Sequence, residues 1–288
     1  MKIAVVTDSN AGITQEEAKN FPNLHIIPMP FMIDDEEYFE GVNLTQADFY
    51  QKLAEGAEVS TSQPSIGVVM EMWENLLKEF DQIVHIPMSS GLSKACETAM
   101  NFARDFEGKI QVVDNRRVSV THKQSVYDAL KLASEGRTAR EIKELLEDTA
   151  SDSTIYIMVS TLKYLKKGGR ITPTAAAIGT LLNIKPVLTI QGGKLDSHCK
   201  VMNEKVAKAK MIDAVKKDIQ TRFASLVEKG QMNMYVAHSN CPEKAEAFAQ
   251  QLREEFPNIP LTFIDPLALS IACHIGNGSI AVAMARKF

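Results

Sequence analysis

The sequence predicts an α/β protein in two parts. An N-terminal parallel-sheet α/β/α domain with Rossmann-like topology is expected over residues 1–152, and a C-terminal α+β domain with a mixed sheet over residues 153–288. Three observations carry this reading. At 288 residues the chain suits two cores, because domains commonly run to roughly 100–200 residues. In the first half, short apolar runs alternate with helical spacing, the pattern of strands buried on both faces and joined by crossover helices. In the second half a hairpin signal and later strands interrupt that alternation, as a mixed sheet requires.

Element by element, Lys2–Thr7 reads as a strand, followed by a short helix opened by the capping box Thr14-x-x-Glu17. Leu24–Met29 is the next strand, and Phe31–Phe39 a hairpin turning at Asp34-Asp35. Helical spacing returns at Ala47–Leu53 and Ile66–Phe80. Gln82–Met88 is a strand, Leu92–Phe106 a helix and Ile110–Val113 a strand. Helices then run from Val118 to Ser134 and, after Thr138-x-x-Glu141, to Asp148. The segment Ala150–Ser153 breaks the helix and marks the domain boundary. Beyond it, Thr154–Ser160 is a strand and Ala175–Leu182 a small-residue helix. Lys185–Gln191 and Leu195–Lys200 are strands joined at Gly192-Gly193. A long helix (Lys205–Lys229), a strand (Asn233–Ser239), a helix (Pro242–Phe256) and strands at Leu261–Ile264 and Ser279–Ala285 complete the chain.

Composition excludes several functions. A net charge of −4 and a pI of 5.9 argue against a nucleic-acid partner, which calls for a basic surface. No apolar run approaches the ~20 residues needed for a membrane span, and the N-terminal apolar stretch runs straight into Asp8 without a signal-peptide pattern. Cys96, Cys199, Cys241 and Cys273 have no C-x-x-C spacing, which argues against zinc and redox motifs and suits reduced thiols in the cytoplasm. His198-Cys199 lacks further ligands, so no metal is expected, and no cofactor motif is present.

Three polar stretches stand where strands give way to loops or helices: Thr61-Ser62-Gln63-Pro64-Ser65, Ser89-Ser90-Gly91-Leu92-Ser93 and His274-Ile275-Gly276-Asn277-Gly278. They offer hydroxyls, backbone N–H groups and an imidazole, an inventory suited to holding a small anionic group. Each has a plain alternative. Ser62 or Ser93 can simply cap a helix, and a lone His274 is more often structural than ligand-binding. A helix N-terminus also presents free N–H groups to an anion. In Lys166-Lys167-Gly168-Gly169-Arg170 the glycines permit close backbone approach and Arg170 suits a carboxylate or phosphate, although a solvated turn is the usual fate of such a run. The small residues of Ala175–Leu182 serve either tight helix packing or a wall that leaves room for an apolar ligand.

These motifs together resemble the DegV family. The resemblance rests on Thr7-Asp8-Ser9, Thr61-Ser62-Gln63-Pro64-Ser65, Leu92-Ser93, Leu162-x-Tyr164-Leu165-x-Lys167-Gly168-Gly169-Arg170, Leu181-Leu182-x-Ile184-Lys185-Pro186 and His274-x-Gly276, in order along the whole chain. It implies a fatty-acid-binding protein that is not itself an enzyme, with the ligand between two domains and its acyl chain in an internal tunnel. Some members are the lipid-binding subunit of a bacterial fatty acid kinase and present the carboxylate to a separate ATP-dependent subunit. By that analogy Thr61, Ser93 and His274 hold the carboxylate, with Ser62 beside them. Lys94, Gly168, Gly169 and Arg170 border the headgroup mouth or face a partner, and Ala176, Ile178, Gly179 and Leu182 form tunnel wall.

The sequence departs from the family pattern at several points. Lys94-Ala95 stands where Gly-Thr is usual, Asn277 replaces a proline and Asn115 a serine. Many members have Lys-x-Arg at Lys200-Val201-Met202, and Met202 removes the charge that docks the kinase in those subunits. Two alternatives remain at this level: a carrier of another amphiphilic lipid, and an acyl hydrolase using Ser93 and His274 with Asp114 or Asp265. No G-x-S-x-G elbow surrounds Ser93.

Overall fold

The computed structural model describes residues 1–177 and 184–288. In the first sheet the strands Leu24–Ile27, Ile3–Asp8, Gln82–Ile86 and Ile110–Val112 lie side by side in that order, all parallel. Their side chains alternate between two helical layers. Ile3 and Val5 join Val126, Ile142 and Leu146 on one face, whereas Ala4 and Val6 join Val69, Trp73 and Ala99 on the other. Burial on both faces explains why these strands read as apolar runs rather than alternations. The result is the α/β/α arrangement expected.

The second sheet is mixed and six-stranded, in the order Asp196–Val201, Lys185–Ile190, Ser153–Met158, Ile280–Arg286, Met232–His238, Leu261–Pro266. Only the last two pair in parallel. One face, carrying Tyr156, Met158, Val236 and Val282, packs on the helices Glu204–Asp218 and Pro242–Glu255. The other face, carrying Ile155, Ile157, Ala237 and Ala281, turns toward the first sheet. Strand periodicity makes that division, since neighbours along a strand point to opposite faces.

The helix Ser119–Ser134 lies between the sheets and touches strands of both. It buries polar side chains: Gln124 accepts from the Tyr235 hydroxyl at 2.9 Å, and Lys123 pairs with Glu17 and Asp265, each at 2.9 Å. Two-sided burial of so polar a helix requires these partners, because an unpaired buried polar group is costly.

Several elements differ from the sequence expectations. The hairpin Pro30–Ile33/Glu36–Phe39, which turns at Asp34 and Asp35 with positive φ, gains a third strand, Val59–Thr61. That strand was not anticipated because it has three residues and only Val59 is buried. The helices Lys163–Gly168 and Leu269–Ile275 were also unanticipated, being too short to show a period. The expected Leu92–Phe106 helix starts only at Ala95, because Leu92 and Ser93 donate backward to the Ser89 carbonyl. The long Lys205–Lys229 helix carries a π-turn at Ile219–Phe223. Of the expected Ala175–Leu182 helix, Pro173–Ala176 is helical and residues 178–183 lie outside the described residues. Among the described residues no helix is long and apolar enough to cross a membrane.

Candidate ligand-binding site

The facing sheets enclose a cavity of about 380 Å³, within the usual size range of small-molecule pockets. Its floor is the inner face of the second sheet, where Ile155, Ile157 and Ile190 stand beside Ala237 and Ala281. The two alanines are directly paired across neighbouring strands. Two methyl groups at the centre of a floor otherwise made of Ile create the hollow. Met29, Met88, Leu92 and Val120 close it from the other side.

Polar groups gather where three segments meet. Thr61 ends the strand Val59–Thr61, held in register opposite Phe31. His274 lies in the last turn of the helix Leu269–Ile275, and its Nε2 is 2.8 Å from Thr61 Oγ1. Ser93 follows the Ser89–Leu92 turn, with its Oγ accepting from the Ala95 N–H at 3.2 Å. Thr61, Ser62, Ser93, Lys94, Arg170 and His274 all border the cavity. Thr61, Ser62, Ser93 and His274, the residues that the family resemblance implies around a carboxylate, thus line one cavity.

His274 is held as a neutral imidazole. Burial and, secondarily, the Arg170 guanidinium push its pKa down to about 4. Arg170 is anchored by donating from Nε to the Leu92 carbonyl at 3.1 Å and from Nη1 to the Gly168 carbonyl. Gly168 lies against the imidazole so closely that a β-carbon there would stand 2.1 Å from Nδ1. Gly169, with φ +68°, ends the Lys163–Gly168 helix. The plain capping role considered for Ser62 is absent: the helix Ile66–Leu76 begins after Ser65. Ser62 is exposed, and Lys94 points outward to pair with Glu97 at 3.0 Å.

One of the four expected wall residues needs correction. Ala176 packs against the core beside the second sheet and does not line the cavity. Ile178, Gly179 and Leu182 lie outside the described residues. Among the described residues, the strand positions Ile155, Ile157, Ile190, Ala237 and Ala281 supply one wall. Period-two burial of both faces gives no sequence clue to which face borders a void.

Three polar lining residues escaped the sequence reading: Asn10, Ser119 and Ser270. Ser270 precedes His274 by one helical turn on the same face, a spacing that could have flagged it. The geometry does not assemble a hydrolytic triad. His274 contacts Thr61 rather than Ser93, Asp114 accepts from Ser90 at 2.5 Å, and Asp265 is paired with Lys123. Among the described residues no cluster of His, Cys, Asp and Glu could hold a metal.

Comparison with known proteins agrees with this fold. A family model described as uncharacterised protein, DegV family, matches residues 2–287. A DegV domain-containing protein of Streptococcus pneumoniae is 33% identical over 286 residues, covering 98% of each chain. A DegV family protein of Thermus thermophilus, solved in a study of its fatty acid binding, superposes with a TM-score of 0.89 at 27% identity over 99% of this chain and 100% of that one. DegV of Bacillus subtilis, described as a fatty acid binding protein, superposes with a TM-score of 0.85 at 27% identity over 100% of both chains. By its sequence over nearly its whole length and by its fold, the chain belongs to the DegV family.

Proposed function

We propose that this protein binds a long-chain fatty acid, with the tail in the cavity between the sheets and the carboxylate held by Thr61, Ser93 and His274. The observation that carries the reading is the Thr61–His274 hydrogen bond at one end of a cavity lined mostly by apolar side chains. With its proton on Nε2, neutral His274 donates to Thr61 Oγ1. The threonine proton is then free for a carboxylate oxygen. Ser93 supplies a second hydroxyl donor, and Arg170 and Lys94 border the headgroup end with positive charge. Ser62 adds an exposed hydroxyl at the mouth. A sixteen-carbon tail, at about 0.8 kcal/mol per buried CH₂, gains on the order of 10 kcal/mol before ordering costs. The similarity to structures described as fatty-acid-binding supports the same ligand class here.

The second part of the proposal is presentation of the carboxylate to a separate ATP-dependent kinase subunit. The exposure of Ser62 and Lys94 at the headgroup end supports it.

The decisive experiment is mass spectrometry of the recombinant protein, first native and then denatured with lipid extraction. A single stoichiometric fatty acid, lost in the Thr61→Ala/Ser93→Ala double variant, is the expected result. A protein that stays empty after incubation with mixed fatty acids would sink the proposal.

A further inference from the structure

The polar residues that line the cavity fall into two groups, and the carboxylate reading uses one. The other is Asn10, Ser119 and Ser270, which are 1%, 8% and 5% exposed. Ser270 Oγ donates to Asn10 Oδ1 at 2.6 Å. That leaves Asn10 Nδ2 buried without a hydrogen-bond partner among the described residues. The Ser119 hydroxyl has no partner among the described residues.

Ser119 also opens the 16-residue helix Ser119–Ser134. The preceding residue, Val118, has no side chain that could cap it. Among the described residues no side chain or loop carbonyl accepts from the first-turn N–H groups of Ser119 and Val120, both of which line the cavity. Ser119 is held at φ +55°, so its presence at this position is not explained by backbone preference.

Such donors are misplaced in a cavity meant only for a saturated hydrocarbon, because buried donors are almost always paired in folded proteins. We propose that they form a second polar subsite, and that the preferred ligand is an acyl chain bearing an oxygen, as a hydroxyl or oxo group, along its length. The Ser119 hydroxyl donates to that oxygen, and Asn10 Nδ2 becomes the second donor once its amide turns toward the cavity that Asn10 lines. The spacing constrains where it lies. Ser270 sits one turn before His274, so the two poles are displaced by about 6 Å along the helix axis. The oxygen is borne several carbons from the carboxylate. This inference rests on the fatty-acid reading above and narrows its ligand class.

The test is displacement of a fluorescent fatty acid from the delipidated full chain. The competitors are octadecanoic acid and positional series of its monohydroxy and mono-oxo derivatives. At least one internal isomer should bind about five- to tenfold tighter than the unsubstituted acid, the gain expected of one net hydrogen bond. In Ser119→Gly, which keeps the positive φ accessible while deleting the hydroxyl, that ratio should fall toward unity. Asn10→Ala should lower it independently. If octadecanoic acid binds but no oxygenated isomer binds tighter, the subsite is a place for water and the inference is overturned. If no acid binds at all, the fatty-acid reading itself fails and takes this inference with it.

Discussion

Gly168 and His274 are packed so tightly that a single added methyl at position 168 would stand 2.1 Å from the imidazole Nδ1. The contact fixes the ring from the side opposite Thr61, which holds Nε2 at 2.8 Å. The glycine in the Lys-Gly-Gly-Arg run is therefore a seat for the imidazole.

Gly168→Ala should displace the imidazole and break the Thr61 contact. Loss of a hydrogen bond network serving a charged ligand group costs about 1.5–3 kcal/mol, or roughly ten- to a hundredfold in affinity. Helix propensity does not oppose alanine at position 168, but displacing a buried imidazole costs stability as well, about 1–3 kcal/mol, so melting temperature and lipid affinity should both fall. Fluorescent fatty-acid displacement alongside a melting curve reads the two separately. Unchanged affinity would mean that the imidazole contact does not matter for binding.

Stability should decline on acidification. His274 is held at about 4 and His85 at about 3, both by burial first. The unfolded chain takes up these protons near the ordinary imidazole value of about 6.5. It thus binds more protons than the folded chain below that value, and stability rises with pH. The imidazole contribution is complete above about 6.5 and is lost toward 4 and 3. Asp128 opposes it, since burial raises its folded pKa to about 6 and folding there takes up a proton. Two imidazoles outweigh one carboxyl, so the urea midpoint at pH 5 should lie below that at pH 7. His85→Leu should flatten the difference, and an unaltered slope in that variant would remove His85 from the account.

How much of this was legible in the sequence depended on length and on two-sided burial. The parallel strands stood out because Ala4, Val5 and Val6 are all buried, giving a run no surface strand would show. The helix Leu269–Ile275 did not stand out. It is seven residues long, marginal in isolation, and is helped by Glu40, which accepts from the Leu269 N–H at 2.7 Å across 229 residues of chain. Local pattern cannot reveal such a partner. Thr61, Ser93 and His274 were legible as motif residues, whereas Ser119 required its left-handed backbone and its place beside a void to be known. The cavity floor was invisible for the same reason: Ala237 and Ala281 read only as small residues in apolar strands.

That floor makes a prediction about chain length. Ala237 and Ala281 are paired across strands and both line the cavity. Ala281→Leu adds three carbons to a close-packed floor and should shorten the preferred acyl chain by about as many. Extracted lipid masses from wild type and variant, expressed in the same host, read this directly. An identical lipid profile would place the tail elsewhere.

Met202 gives the last prediction, which concerns service to a kinase. It is 68% exposed, just beyond the edge strand Asp196–Val201, with Val206 exposed nearby at 41%. An arginine at this position would add a charge to the surface without touching the cavity, so lipid binding and stability should stay within experimental error of wild type. If the position docks an ATP-dependent subunit through charge, Met202→Arg should raise acyl-phosphate formation by a fatty acid kinase at limiting kinase concentration. The gain should shrink as salt is added, because an exposed charge pair is screened within about 8–10 Å. Equal rates for both forms at every kinase concentration would show that this surface does not set the partnership. No acyl phosphate from either form, with lipid bound in both, would leave the protein a carrier whose cargo is consumed by another reaction.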